Sequence, residues 1–355
     1  MRENEAVRPS CASEDGLPPF DVWKSVRKEL PELAPELIGG VLRQGHKMLI
    51  SGSSKAGKSF LLLELCAAIS EGGEWLGFKC RQGRVLYINF EMDRASCLHR
   101  LDRIYDTLGI REKHGDDLVI WTLRGRAEPL DRFVPKLISR VRDMQLSAIV
   151  LDPIYKVITG DENSATDMGA FCNQFDRICD ETGCSVICCH HHSKGAQGSK
   201  RVMDRASGSG VFARDPDAQL DIIQLQLTPE QKLKHQDGNA TAWRMESSLR
   251  EFPNIRPLDF WFDYPVHRVD TAGVLASAPA EGSALANLQK SSRRTSGLQR
   301  RERLDTAYEA CNTGGPIRVN DMADFLHLTR QTVKRYLDEY PGAYLVDNGF
   351  VWKVQ

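Results

Sequence analysis

Between residues 46 and about 225 the chain alternates short, almost wholly apolar runs with amphipathic stretches of helical period. The apolar runs fall at 47–51, 84–90, 118–123, 147–151 and 185–189. Each is too short for a buried helix and has the length of a strand covered on both faces. The stretch Phe60–Ala68, directly after the first run, has a helical pattern. Strands alternating with amphipathic helices predict an α/β fold with a mostly parallel sheet. Residues 218–225 and 241–269 change character, alternating as in Trp243-Arg244-Met245-Glu246 and Leu258-Asp259-Phe260-Trp261-Phe262. That pattern predicts antiparallel strands extending the sheet.

The ends of the chain read differently. Residues 1–20 are polar and proline-bearing, as expected of a disordered tail. The main domain then spans 21–270. Within its first part, 21–45, the apolar positions Trp23, Leu30, Leu33, Leu37, Ile38 and Val41 predict a segment packed against the first strand. Residues 271–297 are rich in Ala, Ser and Gly and read as a linker. Residues 298–355 form a second module. It has a helical pattern over Leu298–Ala310, a short helix over 319–326, a turn at His327-Leu328-Thr329 and a second helix over 330–337. A hairpin over 344–353 turns at Asp347-Asn348-Gly349. Helix, turn, helix and hairpin make a small winged-helix-like layout. Eleven basic against eight acidic residues over 290–355 leave it mildly basic.

Composition narrows the class. The 355 residues are 41% hydrophobic and 27% charged, as in ordinary globular proteins. No apolar run approaches the ~20 residues of a membrane span. The segment Met1–Ala6 lacks the apolar core of a signal peptide, so a cytoplasmic protein without membrane partners is expected. A net charge of −1 means that any affinity for nucleic acid comes from local patches. The ten cysteines include the cluster Cys184, Cys188 and Cys189 followed by His190-His191-His192. Adjacent strand residues point to opposite faces, so Cys188 and Cys189 make poor joint metal ligands, and core packing is the better reading.

The chemistry sits at the strand ends. Gly52-Ser53-Ser54-Lys55-Ala56-Gly57-Lys58-Ser59 is a complete G-x-x-x-x-G-K-S phosphate loop between a strand and a helix, with Phe60 closing the nucleotide-binding stretch. Its backbone N–H groups wrap a phosphate, Lys58 reaches the β- and γ-phosphates of ATP, and Ser59 can ligate Mg²⁺. Asp152 ends the run Ser147–Leu151, the place of the carboxylate that holds Mg²⁺ through water. Glu91 ends the run Val85–Phe90 and is the candidate base for the attacking water. A third strand ends in His190-His191-His192-Ser193-Lys194-Gly195, where a polar side chain can sense the γ-phosphate. The loop from Gly195 to Gly210 is glycine-, serine- and base-rich. With Lys194, Lys200, Arg201 and Arg205 it reads either as a disordered connection or as a DNA-contacting loop.

This ordered set resembles the RecA-like P-loop ATPases of the plasmid RepA type, ring-forming replicative helicases. The set is Gly52–Ser59, Glu91, Asp152, His190-His191-x-Ser193-Lys194-Gly195 and Arg205-Ala206-Ser207-Gly208-Ser209-Gly210, over residues 35–270. The resemblance implies a homo-hexamer with ATP at each interface, hydrolysis by Glu91 and Mg²⁺, His190 or His191 as γ-phosphate sensor, and single-stranded DNA in a central channel. The family's arginine finger follows the Arg-Ala-Ser-Gly stretch, yet the chain reads Arg214-Asp215-Pro216-Asp217-Ala218 there. Arg250 takes a position like that of fingers in related rings, with Arg205 and Arg214 as alternatives. The C-terminal module lies outside the minimal helicase. On its second helix Arg330, Thr332, Lys334 and Arg335 can meet duplex DNA, or the module can dock a replication protein. Two other functions share these residues: a RecA/RadA-like recombination or repair ATPase, and an ATP-switched DNA-binding regulator.

Overall fold

A computed structural model of the chain describes residues 20–158, 160–162, 164–193, 197–200, 202–205, 210–228, 231–232, 235, 240–283, 286, 300–312 and 316–354. Lys194, Arg201 and the stretch 206–209 lie outside the described residues, as do 1–19 of the predicted tail and most of 284–299.

The helix α1 (Trp23–Val26) leads to a hairpin of β1 (Glu36–Ile38) and β2 (Leu42–Arg43). Strand β3 (Lys47–Gly52) and helix α2 (Lys58–Glu71) flank the phosphate loop. A second small hairpin, β4 (Glu74–Trp75) and β5 (Phe78–Lys79), precedes β6 (Arg84–Asn89) and α3 (Arg94–Leu108). Then come β7 (Leu118–Thr122), α4 (Leu130–Val141), β8 (Leu146–Asp152), α5 (Ala165–Thr182) and β9 (Ser185–His191). The short helix α6 (Gly210–Arg214) leads to β10 (Ala218–Gln224), β11 (Thr241–Leu249), β12 (Leu258–Asp263) and β13 (Val266–Val269).

Nine of these strands form one sheet, in the order β13-β12-β11-β10-β3-β9-β8-β6-β7. The six strands from β10 to β7 are parallel, and β11, β12 and β13 add to them antiparallel. This is an α/β core, mostly parallel with an antiparallel extension, with the phosphate loop between β3 and α2. The pleat sorts the apolar runs onto two faces. Met48, Ile50, Tyr87, Val150 and Cys189 join the core under α2 and α3. Leu49, Leu86, Ile149, Leu151 and Cys188 join the core under α4 and α5. Cys188 and Cys189 thus belong to opposite cores. Glycines in the left-handed region stop α2, α3 and α5 at Gly72, Gly109 and Gly183. Asp93 and Ser164 cap the starts of α3 and α5 through their side chains.

Two expectations need correction. Leu37, Ile38, Val41 and Leu42 are buried in the β1–β2 hairpin, but Trp23, Leu30 and Leu33 are 61–71% exposed. The packed part of 21–45 is therefore only its second half. Residues 271–283 do not behave as the start of a linker either. Leu275 and Ala278 are buried with Leu225, Ala242 and Trp261. The amides of Gln226 and Glu281 bond to Pro279 and Gln224, which ties the segment to the end of β10. An Ala/Ser/Gly composition conceals two well-placed apolar side chains.

The C-terminal unit has its own core. A helix over 300–311, here α7, is followed by β14 (Ile317–Arg318), α8 (Val319–Leu326), α9 (Arg330–Asp338), β15 (Tyr344–Asp347) and β16 (Phe350–Lys353). The strands pair in the order β14-β16-β15. Leu304, Met322, Leu326, Val333, Leu337 and Tyr344 close the core. Asn348 and Gly349 both have positive φ, as the tight β15–β16 turn requires. Among the described residues no helix is long and apolar enough to cross a membrane.

Candidate active site

The phosphate loop leaves the C-terminal end of β3 and enters α2 directly. Lys55 (φ 65°) and Gly57 (φ 75°) supply its left-handed turns. A Cβ at Gly57 would lie 3.0 Å from His267 Nε2, a tight contact that, with the positive φ, favours glycine. The Lys58 ammonium is 7% exposed and donates to the carbonyls of Gly52 and Ser53, each at 2.8 Å. Burial pushes its pKa down, against the pull of Cys189, Asp152 and Glu91. A buried cation held by neutral partners, two carbonyls and an imidazole, is poised to exchange them for phosphate oxygens.

A cavity of about 540 Å³ opens over the loop, between Lys58, Ser59, Glu91, Asp152 and His191. Parallel strands bring these residues together, since β3, β6, β8 and β9 all end at this edge. Asp152 ends β8 and is 2% exposed. Its carboxylate accepts from the Tyr87 hydroxyl and, at 2.9 Å, from Cys189 Sγ. Burial pushes the pKa of both donors well up, so they remain protonated. Glu91 lies just beyond β6 in an exposed turn. Asn89 pins that turn, its Oδ1 accepting from the amides of Glu91 (3.0 Å) and Met92 (2.8 Å). Glu91 Oε1 in turn accepts from the Tyr155 hydroxyl at 3.2 Å.

Of the two candidate sensors the cavity contains His191. Its Nδ1 lies 3.3 Å from Lys58 Nζ, and its ring is 5.5 Å from that of Tyr155. Burial, then the charge of Lys58, lowers its pKa below the ordinary 6.5. His190 is on the other face of β9, 2% exposed, edge-on to Phe212 and 3.8 Å from Glu162. Its expected contact with the nucleotide is corrected by the pleat, which sends neighbouring side chains to opposite faces.

Other expected site residues are placed elsewhere. Arg205 is buried, donating to Asp221 (2.8 Å) and Glu246 (2.5 Å) and to the carbonyls of Gln197 and Lys200. Asp221 also binds the Ser51 hydroxyl at 2.5 Å and His192 Nε2 at 2.8 Å. Arg205 is therefore the centre of a buried polar network behind the phosphate loop, not a free finger or DNA-facing side chain. Lys200 Nζ donates to Ser193 Oγ at 2.7 Å, which folds the loop on itself. Arg250 is tied to Asp217 (3.0 Å) and to the carbonyls of Arg214 and Asp215. The pairing of Leu249 with Ala218, and of Ala218 with Met48, puts Arg250 at the opposite end of the sheet from the phosphate loop. On α9, Arg330, Lys334 and Arg335 are exposed, while Thr332 Oγ1 lies 2.8 Å from Thr329 Oγ1 at the helix cap.

Several contributors have no signal in sequence spacing. Tyr155 and the pair Tyr87 and Cys189 act through the tertiary fold. Phe60 lies 5.4 Å from Phe262, with the Arg100 guanidinium 4.0 Å from its ring, so the aromatic wall draws on residues about 200 positions apart.

These residues fit a magnesium nucleotide: a loop cradle that a Cβ would fill, a lysine awaiting anions, a carboxylate on the cavity floor and a second at its exposed edge. Ser59 and Asp152 would hold the ion. The family described as AAA domain matches residues 13–197. Among solved structures, a KaiC-like protein from the hyperthermophilic archaeon Pyrococcus horikoshii OT3 aligns at a TM-score of 0.44 and 12% identity, over 66% of this chain and 93% of that one.

Proposed function

The chain belongs to the AAA domain family and is a nucleotide-hydrolysing P-loop ATPase, and from that premise we propose an ATP-driven, DNA-associated motor of the RepA helicase type. The observation that carries the reading is the position of His191. It touches Lys58 within the cavity and stands two residues before Ser193, where the loop anchored by Arg205 begins. A change at the γ-phosphate therefore has a short covalent route into that loop.

In the proposed reaction Lys58 leaves the carbonyls of Gly52 and Ser53 for phosphate oxygens. Glu91, steadied by Asn89 and Tyr155, accepts a proton from the attacking water. Bound magnesium supplies charge neutralisation at the phosphates, with Ser59 and Asp152 to hold it. Phe60, Phe262 and Arg100 offer a flat apolar and cationic wall to a base. Subunits assemble as a homo-hexamer, an arginine from a neighbouring copy completes the site, and single-stranded DNA runs through the centre.

The C-terminal unit is assigned as a winged helix that presents Arg330, Thr332, Lys334 and Arg335 to duplex DNA or to a replication protein. Its self-contained core favours a second reading, an ATP-switched DNA-binding regulator. Strand displacement on a forked duplex separates the readings. The motor unwinds with ATP and stops in Glu91→Gln. ATP hydrolysis without displacement points to a recombinase. Sequence-specific duplex binding that is lost in a Lys334→Ala, Arg335→Ala double variant, again without displacement, points to the regulator.

A further inference from the structure

Behind the phosphate loop lies a buried acid–imidazole pair that the reaction above does not use. Glu64 projects from α2 and is 5% exposed. Its carboxylate accepts from the backbone amide of His267 at 3.2 and 3.3 Å, and its Oε1 lies 2.7 Å from His267 Nδ1. A buried carboxylate needs donors, and a single residue 203 positions away supplies all of these. With Nδ1 committed to Glu64, the chemistry left to the ring is at Nε2. His267 is 4% exposed, and among the described residues its Nε2 has no hydrogen-bond partner.

That nitrogen points at the loop. A Cβ built on Gly57 would lie 3.0 Å from Nε2 and 3.2 Å from Cε1 of the same ring. Phe262 stacks on the ring at 4.5 Å, and Phe260 meets it edge-on at 5.5 Å, so the imidazole cannot swing away. Gly57 is the left-handed cap of α2, the residue whose conformation aims the first amides of the helix at a phosphate. The ring occupies the space beside Gly57 that a side chain there would take. We propose that His267, oriented by Glu64, is a positioning residue of the phosphate loop, through which β13 of the antiparallel extension sets nucleotide affinity. His267 lies beyond residues 13–197, the region shared with the family. The inference rests on the nucleotide-binding reading of the loop.

Two side chains separate the two ring nitrogens. Asparagine places its amide where Nδ1 sits, keeping the bond to Glu64 and vacating the contact with Gly57. Glutamine reaches the place of Nε2 and gives up the bond to Glu64. Binding of a fluorescent ADP analogue with Mg²⁺, steady-state ATP turnover and the melting temperature are measured for wild type, His267→Asn and His267→Gln. His267→Asn is expected to weaken binding and raise KM about tenfold, with kcat within about twofold and melting near wild type. His267→Gln is expected to retain more affinity despite lower stability. Wild-type affinity in His267→Asn overturns this inference alone, as does a loss of affinity that follows melting temperature in both variants. A wild-type protein that binds no nucleotide overturns the reading of the loop as well.

Discussion

At the scale of the residue, the site separates two carboxylates by environment. Asp152 is sunk at the cavity floor between two neutral donors, whereas Glu91 stands in an exposed turn pinned by Asn89, with Tyr155 donating to its carboxylate. The first suits a fixed charge for an ion and the second a group that takes a proton. Glu91→Gln is expected to cut ATP turnover by about 100-fold or more while leaving ADP affinity within twofold. Equilibrium binding beside turnover checks it, and an equal loss of both would assign Glu91 to binding. His191 carries a pH signature. Its folded pKa lies below the ordinary 6.5, so the unfolded chain takes up a proton first as pH falls. The stability linked to this group is full above that value and is lost as pH drops through the lowered one. Melting curves of wild type should therefore fall more steeply below pH 6.5 than those of His191→Gln, and coincident curves would place the group elsewhere.

At the scale of the element, the end of each parallel strand carries one task, and the strands themselves were plain in the sequence. Four of the five apolar runs lie buried on both faces, and the fifth, β7, is a half-buried edge strand. The choice between His190 and His191 needed only the pleat. The hairpins β1–β2 and β4–β5 and the strand β14 were not legible, because pairs of two- or three-residue strands hold no period to read. Arg205 was misread for another reason. A basic residue in a glycine-rich loop looks solvated until the fold brings Asp221 and Glu246 to it. Its removal leaves a buried carboxylate without its cation, which costs about 3–5 kcal/mol. Arg205→Ala is accordingly expected to lower the denaturant midpoint sharply with an unchanged slope. An unchanged midpoint with lost DNA stimulation would instead put Arg205 on the DNA.

At the scale of the whole molecule, the chain joins an ATPase core to a small basic unit with its own hydrophobic interior. Net charge of −1 supplies no general attraction to DNA, so the proposed coupling would pass through particular surfaces. Within the core, the path runs from Lys58 through His191 to the loop after Ser193, and its counterweight is the Ser51–Asp221–Arg205 network on the neighbouring strands. The central claim is that this path makes hydrolysis answer to DNA. ATP turnover by the full chain, with and without single-stranded DNA and with Glu91→Gln as the inactive control, tests it most directly. The account predicts weak basal turnover, several-fold stimulation by single strands, and none of either in the variant. Turnover that depends on Glu91 but is indifferent to single strands would contradict the motor and leave an ATPase whose partner is not DNA.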